Sequence, residues 1–216
     1  MKYGEAVRIG PHIVGVGDAT SSDLQALVEF SGLSPVVGYV DPPWGQGLLT
    51  NFRNRVPGTP RQEWGDFTWK FARSLNSLGC RFYVEMGVKW AEGLAVEMGK
   101  AGLAVLGMYE GTYYGKRPMK FLVVGESDPG GLVDLSGIDD NDSPLLVCAN
   151  HPEEGPVCDP CCGKGLTAKA AHETGRPFIG MEFNPERAEN TVVRLEKLNG
   201  STRGQLEMYR RSTWLP

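Results

Sequence analysis

An apolar run, Pro35-Val36-Val37-Gly38-Tyr39-Val40, stops at Asp41-Pro42-Pro43-Trp44, and that junction limits what the 216-residue chain can become more than any other stretch. The run reads as a buried strand feeding a rigid turn. Two consecutive prolines fix their φ angles and remove two N–H donors, so the carbonyls at the strand's end are not consumed by a ladder. The turn offers a carboxylate at Asp41, a backbone acceptor at Pro42 and a flat aromatic face at Trp44. An exocyclic amine on a planar heterocycle requires that combination: two acceptors for its hydrogens and a surface to stack on.

Strands and helices alternate around this turn. Residues 12–16 read as a strand ending at Gly17-Asp18. Thr20, Ser21 or Ser22 then caps a helix to about residue 30, with Leu24, Leu27 and Val28 on one face and Gly32 at its end. Residues 67–78 are helical and stop at Gly79, 80–85 form a strand, and 88–99 a helix. Two runs, 103–109 and 119–124, form a hairpin whose tip, Tyr113-Tyr114-Gly115-Lys116-Arg117-Pro118, is basic and aromatic. Asp142-Ser143-Pro144 opens a short helix over 145–149. A strand at Val157-Cys158, a helix over 166–173, a strand over 178–182 and a helix over about 185–198 complete the pattern. Residues 45–66, polar and carrying Arg53, Arg55 and Arg61 among Gly and Pro, read as a mobile loop over a site; 125–142, acidic and Gly-rich, read as a solvated loop. Such alternation indicates an α/β sheet, and this length one domain.

The second constellation is Val157-Cys158-Asp159-Pro160-Cys161-Cys162-Gly163-Lys164-Gly165, with Glu182 at the end of the next strand. Glycines between a strand and a helix let a ligand approach the backbone, and an acidic residue one strand later can hold ribose hydroxyls. Lys164 in the loop hints at phosphate binding, but the spacing is not that of a P-loop.

Together these stretches resemble a known family. Asp41-Pro42-Pro43-Trp44 is similar to the [DNS]-P-P-[YFW] signature of enzymes that methylate adenine N6 or cytosine N4. Asp159-Pro160-x-x-Gly163-x-Gly165 with Ile179-Gly180-x-Glu182 resembles their S-adenosylmethionine motifs, with Cys161 where phenylalanine is common. The order, Gly17-Asp18 and Asp41 before Asp159 and Glu182, is the circularly permuted one of the β-class DNA amino-methyltransferases. The resemblance covers roughly residues 12–45 and 142–198 by motif and the middle by pattern.

It implies a Rossmann-like methyltransferase fold: a mostly parallel seven-stranded sheet with an antiparallel hairpin. It also implies S-adenosyl-L-methionine as cofactor. Asp159, Pro160, Cys161, Gly163 and Gly165 would lie along its methionine part. Glu182, followed by Phe183, would take the ribose hydroxyls, and Asp18 would lie near the adenine. Asp41, Pro42, Pro43 and Trp44 would hold the amine for in-line attack on the methyl, with a duplex base flipped out beneath Trp44. Adenine N6 in DNA is the expected target, with cytosine N4, adenine in RNA and a protein glutamine amide as rivals. The tryptophan form of the motif also occurs in mRNA adenosine methyltransferases, whose C-terminal portion does not resemble 159–182. A rival of another class is a non-catalytic module that keeps the fold and binds nucleic acid or a host protein. Little chain is left for target recognition, 45–66, 110–120 and 125–142, which suggests a short or loosely read site or a partner subunit that supplies recognition; since β-class relatives often pair, the resemblance also implies a homodimer.

Other readings bound the case. A formal net charge of −4 argues against a protein that coats nucleic acid non-specifically, though a local basic face can still visit DNA. Arg53, Arg55, Arg61, Lys116 and Arg117, with Lys120, Tyr113 and Tyr114, fit nucleic-acid contacts and fit soluble surface equally well. Five cysteines, an odd number, do not make a disulfide framework, and a reducing cytoplasm, in a bacterium or a phage-infected cell, fits best. No apolar run reaches membrane-spanning length, and the N-terminus lacks a signal peptide's apolar segment. Cys148, His151, Cys158, Cys161 and Cys162 include a Cys-x-x-Cys pair, yet they fall in a strand, the glycine loop and a turn rather than in a zinc framework. Asp139-Asp140-Asn141-Asp142 lacks calcium-loop spacing and reads as solvated surface.

Overall fold

Every residue of the strand before Asp41 is buried, and it runs through the middle of a nine-stranded sheet. In the computed structural model, which describes residues 1–126, 130–200 and 207–210, the strands are β1 (Ala6–Ile9), β2 (His12–Val16), β3 (Val37–Val40), β4 (Arg81–Gly87), β5 (Ala104–Tyr113), β6 (Arg117–Gly125), β7 (Val157–Asp159), β8 (Phe178–Glu182) and β9 (Glu207–Tyr209). The helices are α1 (Asp23–Ser31), α2 (Gln46–Asn54), α3 (Trp64–Asn76), α4 (Val88–Lys100), α5 (Ser143–Asn150), α6 (Leu166–Glu173) and α7 (Pro185–Asn199). The strand order is β5-β6-β4-β3-β7-β8-β2-β1-β9. From β4 through β2 the neighbours are parallel; the β5–β6 hairpin, its junction with β4, and the β1 and β9 additions are antiparallel.

Alternation along the central strands divides the core in two. Val40, Phe82, Val84 and Met86 face Phe71, Leu75, Leu94 and Met98 of α3 and α4. Tyr39, Tyr83, Phe121 and Phe178 face the other side, with Val147, Ala168, Val192 and Leu195 of α5, α6 and α7. Gly38 has no side chain because the Phe82 ring occupies that space: a Cβ there would lie 2.1 Å from it. The path leaves β3 toward β4 on one side, whereas β7 proceeds to β8 on the other. The strand order therefore reverses between β3 and β7, and the crevice beyond their carboxyl ends is where such sheets bind ligands.

Several expectations are corrected. The sheet has nine strands, because β1 pairs with β2 and carries β9 on its outer edge. Residues 45–66 are not a loop: α2 and the start of α3 lie within them. Helix α2 turns Leu48, Leu49, Phe52 and Arg53 onto a cavity, and of these only Leu49 also joins the core. The hairpin strands run further than 109 and 119, leaving a tight turn with Tyr114 and Gly115 both at positive φ (51° and 63°). Apart from 127–129, which lie outside the described residues, 125–142 is not a solvated loop either. Val133 and Leu135 enter the core, and the Gly137 N–H donates to the Glu110 carbonyl at 2.7 Å.

The acidic stretch is not free surface either; it ties down the hairpin tip. Asp139 accepts from the Thr112 hydroxyl at 3.0 Å and from the Gly115 N–H, while buried Asp140 accepts from the Tyr114 N–H at 2.7 Å. No helix among the described residues is long and apolar enough to cross a membrane.

Candidate active site

The Asp41 turn leaves β3 directly into a cavity of about 330 Å³, whose walls come from both constellations. Asp41, Pro42, Pro43 and Trp44 line one part; Pro160 and Cys161 after β7, Glu182 and Phe183 after β8, and Asp18 after β2 line another. Asp18, Asp41, Pro160 and Glu182 each sit at or just past the carboxyl end of a parallel strand, which is why segments 118 residues apart (41 to 159) meet. Of the expected site residues, Arg53 and Arg117 also reach the cavity. Asp159, Gly163 and Gly165 lie behind it in the turn, and Arg55, Arg61 and Lys116 lie outside it.

Trp44 and Asp41 are joined. The indole Nε1–H donates to Asp41 Oδ1 at 2.9 Å, which fixes the carboxylate and leaves Oδ2 with no partner from this turn. The ring is set by close neighbours: a Cβ on Gly87 would come within 2.9 Å of it, and Tyr113 of the hairpin stands 4.8 Å away, tilted by 59°. Asp41 is solvent-exposed where it opens onto the cavity, yet the protein crowded around it pushes its carboxyl up to about 7. Poor solvation is the main cause; the indole N–H and the Arg187 guanidinium oppose it, and the Asp140 carboxylate adds to it.

Beneath Asp41, on the α5 face of the sheet, buried Glu85 accepts from the Tyr39 hydroxyl, which also bonds Ser143. Burial first, then the Asp41 charge, raises the Glu85 carboxyl well above its ordinary value. Sequence reading misses this trio, since Tyr39 and Glu85 each look like strand filler; only their shared face, seen in register Tyr39↔Tyr83, brings them together.

At the other end Glu182 Oε2 accepts from the Gly163 N–H (2.8 Å) and Oε1 from the Asn184 N–H (2.9 Å). Burial pushes this carboxyl up, and those amides with Arg187 pull it down. Asp159 accepts from the Cys161 N–H at 3.0 Å and is pushed up to about 7 by burial, so it serves the turn rather than the cavity. Asp18 is paired with Arg53 at 3.1 Å, and the Arg53 guanidinium lies 4.8 Å from the Phe183 ring centre. Arg53 thus belongs to this wall, whereas the sequence alone groups it with candidate nucleic-acid contacts. Ala19, Phe52, Phe67, Tyr113 and Arg187 line it as well. Arg187 lies in the first turn of α7, five residues past Glu182, a position that an acidic motif ending at Glu182 does not flag.

The cysteines are structural in placement: Cys148 in α5, Cys158 in β7 and Cys162 in the turn are buried, and only Cys161 reaches the cavity.

No family model matches this sequence, and no curated protein does. Solved structures do match. A Thermus thermophilus protein provisionally described as a DNA modification methylase, complexed with S-adenosyl-L-methionine, aligns with a TM-score of 0.64 at 18% identity, over 88% of this chain and 96% of that one. M1.HpyAVI in complex with the same compound gives 0.58 at 13% identity, covering 84% and 98%. The PvuII cytosine-N4-specific DNA methyltransferase gives 0.57 at 13%, covering 87% and 90%. The chain has the fold of these proteins: a mixed α/β sheet with a largely parallel core and an antiparallel hairpin.

Proposed function

We propose that this chain is an S-adenosyl-L-methionine-dependent methyltransferase acting on the exocyclic amine of a nucleobase, adenine N6 in DNA foremost. The observation that carries this reading is that one cavity is lined both by Asp41-Pro42-Pro43-Trp44 and by Pro160, Cys161, Glu182 and Phe183. Solved proteins of this fold include DNA modification methylases, two of them holding the same cofactor.

The residues present suit that cofactor. Glu182 is held by two backbone amides, one to each oxygen, and each oxygen keeps a lone pair for a ribose hydroxyl. Phe183 and the Asp18–Arg53 pair beside it offer a flat face and polar edge partners to an adenine. Bound there, the cofactor supplies an electrophilic methyl on a sulfonium. Asp41 Oδ2 and the Pro42 carbonyl accept the two amine hydrogens, aiming the nitrogen lone pair and taking up the positive charge that develops on it. With its carboxyl near 7, Asp41 is also a competent acceptor for the proton released after transfer. Trp44 covers the base and, through its N–H, keeps the carboxylate from rotating away.

The test is incubation with methyl-labelled cofactor and, separately, duplex DNA, single-stranded DNA and RNA, followed by nucleoside analysis. N6-methyladenine in a DNA arm is the expected result. N4-methylcytosine, or label in RNA alone, moves the target but keeps the chemistry. No label in any arm, with cofactor bound, favours a binding module that retains the fold.

A further inference from the structure

A second cleft, about 880 Å³, opens beside the cavity and shares Arg187 with it. Three cations line it, Arg55 after α2, Lys164 between the two glycines of the turn, and Arg187, against one exposed carboxylate, Glu186. Their charge is poorly neutralised. Arg53, Arg61, Lys70, Lys100, Lys120 and Lys169 each have an acidic partner within 4.0 Å, whereas Arg55 and Lys164 have none among the described residues. The nearest carboxylate to Arg187 Nε is Glu182 at 3.9 Å, and that N–H has no hydrogen-bond partner. Two unpaired cations and a third with one distant carboxylate, gathered in one cleft on a chain of net charge −4, suit an anion.

Strand order indicates which anion. Arg117, also without an ion pair among the described residues, lines the cavity from the β6 side, and Arg187 from the β8 side, with β4, β3 and β7 between them. A base seated in the cavity stays attached to its sugar, so its neighbouring phosphates must leave past these two walls. We propose that the Arg55–Lys164–Arg187 cleft carries the phosphodiester backbone of the strand whose base occupies the cavity, with Arg117 holding that backbone on the opposite side. The proposal rests on the nucleobase reading above. Contacts of this kind position the strand and carry no sequence information.

The experiment uses the full chain, a fluorescein-labelled single-stranded 20-mer deoxyoligonucleotide and a second 20-mer of unrelated sequence. Anisotropy gives Kd between 50 and 200 mM salt, and calorimetry gives the affinity for S-adenosylhomocysteine. The double variant Arg55→Ala/Lys164→Ala is expected to bind both oligonucleotides more weakly by a similar factor. The slope of log K against log salt should fall in magnitude by about 1.4, two contacts at roughly 0.7 each for single strands. Affinity for S-adenosylhomocysteine should not change, and Arg55→Lys/Lys164→Arg should restore the slope. An unchanged slope overturns the proposal, as does a variant that loses both ligands together, which marks the cleft as structural. A wild-type protein that binds the oligonucleotide with the expected slope but never S-adenosylhomocysteine leaves the cleft standing and removes the methyltransferase reading. Failure to bind either ligand removes both.

Discussion

Asp41 is asked to do two jobs, orienting an amine and accepting a proton, and the two separate experimentally. Asp41→Ala removes the acceptor without touching Glu182, Phe183 or the Gly163 turn, so methyl transfer should fall by at least about 10²–10³-fold. Binding of S-adenosylhomocysteine should stay within a few fold by calorimetry. Loss of both in a folded variant contradicts the division between the two walls. The proton-accepting role has its own signature. Because the carboxyl is raised to about 7, its reactive, ionised form is depleted below that pH. The pH profile of kcat/KM should therefore climb with unit slope up to about 7 and then level. The Trp44 N–H holds this carboxyl down, so Trp44→Phe should shift that limb to higher pH while keeping a ring over the base.

At the level of elements, β3 is the one the rest is fitted around, and it is intolerant at Gly38. Adding a single methyl there puts a carbon 2.1 Å from the Phe82 ring in a packed core. Gly38→Ala should lower unfolding stability by about 1–3 kcal/mol, read as a lower urea midpoint at constant m-value. Buried strands such as β3, β4 and β8 were legible because their apolar runs have no competing interpretation. Helix α2 was not, since Leu48, Leu49 and Phe52 are spent on the cavity and the polar residues around them dilute the pattern. Strands β1 and β9 escaped because four and three residues between glycines and polar stretches carry too little periodicity. The site divided in the same way: the motif turns announce themselves, whereas Arg187, Phe52 and Tyr113 reach the cavity from elements whose local sequence contains no trace of it.

Across the whole molecule, two sets of buried titratable groups pull stability in opposite directions with pH. His12, 3.2 Å from His172, and His151, beside Arg176, are each held at about 4 by burial and positive neighbours. Their folded values lie below the ordinary 6.5, so the unfolded chain takes up those protons first. Stability from this source is complete above about 6.5 and is lost as pH falls toward about 4, by roughly 3 kcal/mol per group. Asp159, raised to about 7, behaves in reverse: its burial costs stability above about 7 and is relieved as pH falls toward about 4. The opposition predicts a shallow pH dependence for the intact protein and a steeper one when either set is removed. His12→Gln should gain on wild type as pH drops from 8 to 5, seen in paired urea titrations; a constant difference between the two proteins would show that His12 does not titrate in this window.

The segment that returns after β6 to fasten the hairpin turn, through Asp139 and Asp140, continues into α5, where Ser143 meets Tyr39 below the carboxylate. One jaw of the cavity is thereby bolted to the frame of the sheet. The opposite jaw, α2, keeps a single buried side chain, Leu49, and is otherwise moored by polar ties such as Arg53 to Asp18. The two jaws are therefore held unequally, one by the frame of the sheet and the other by the sparse contacts of a short helix.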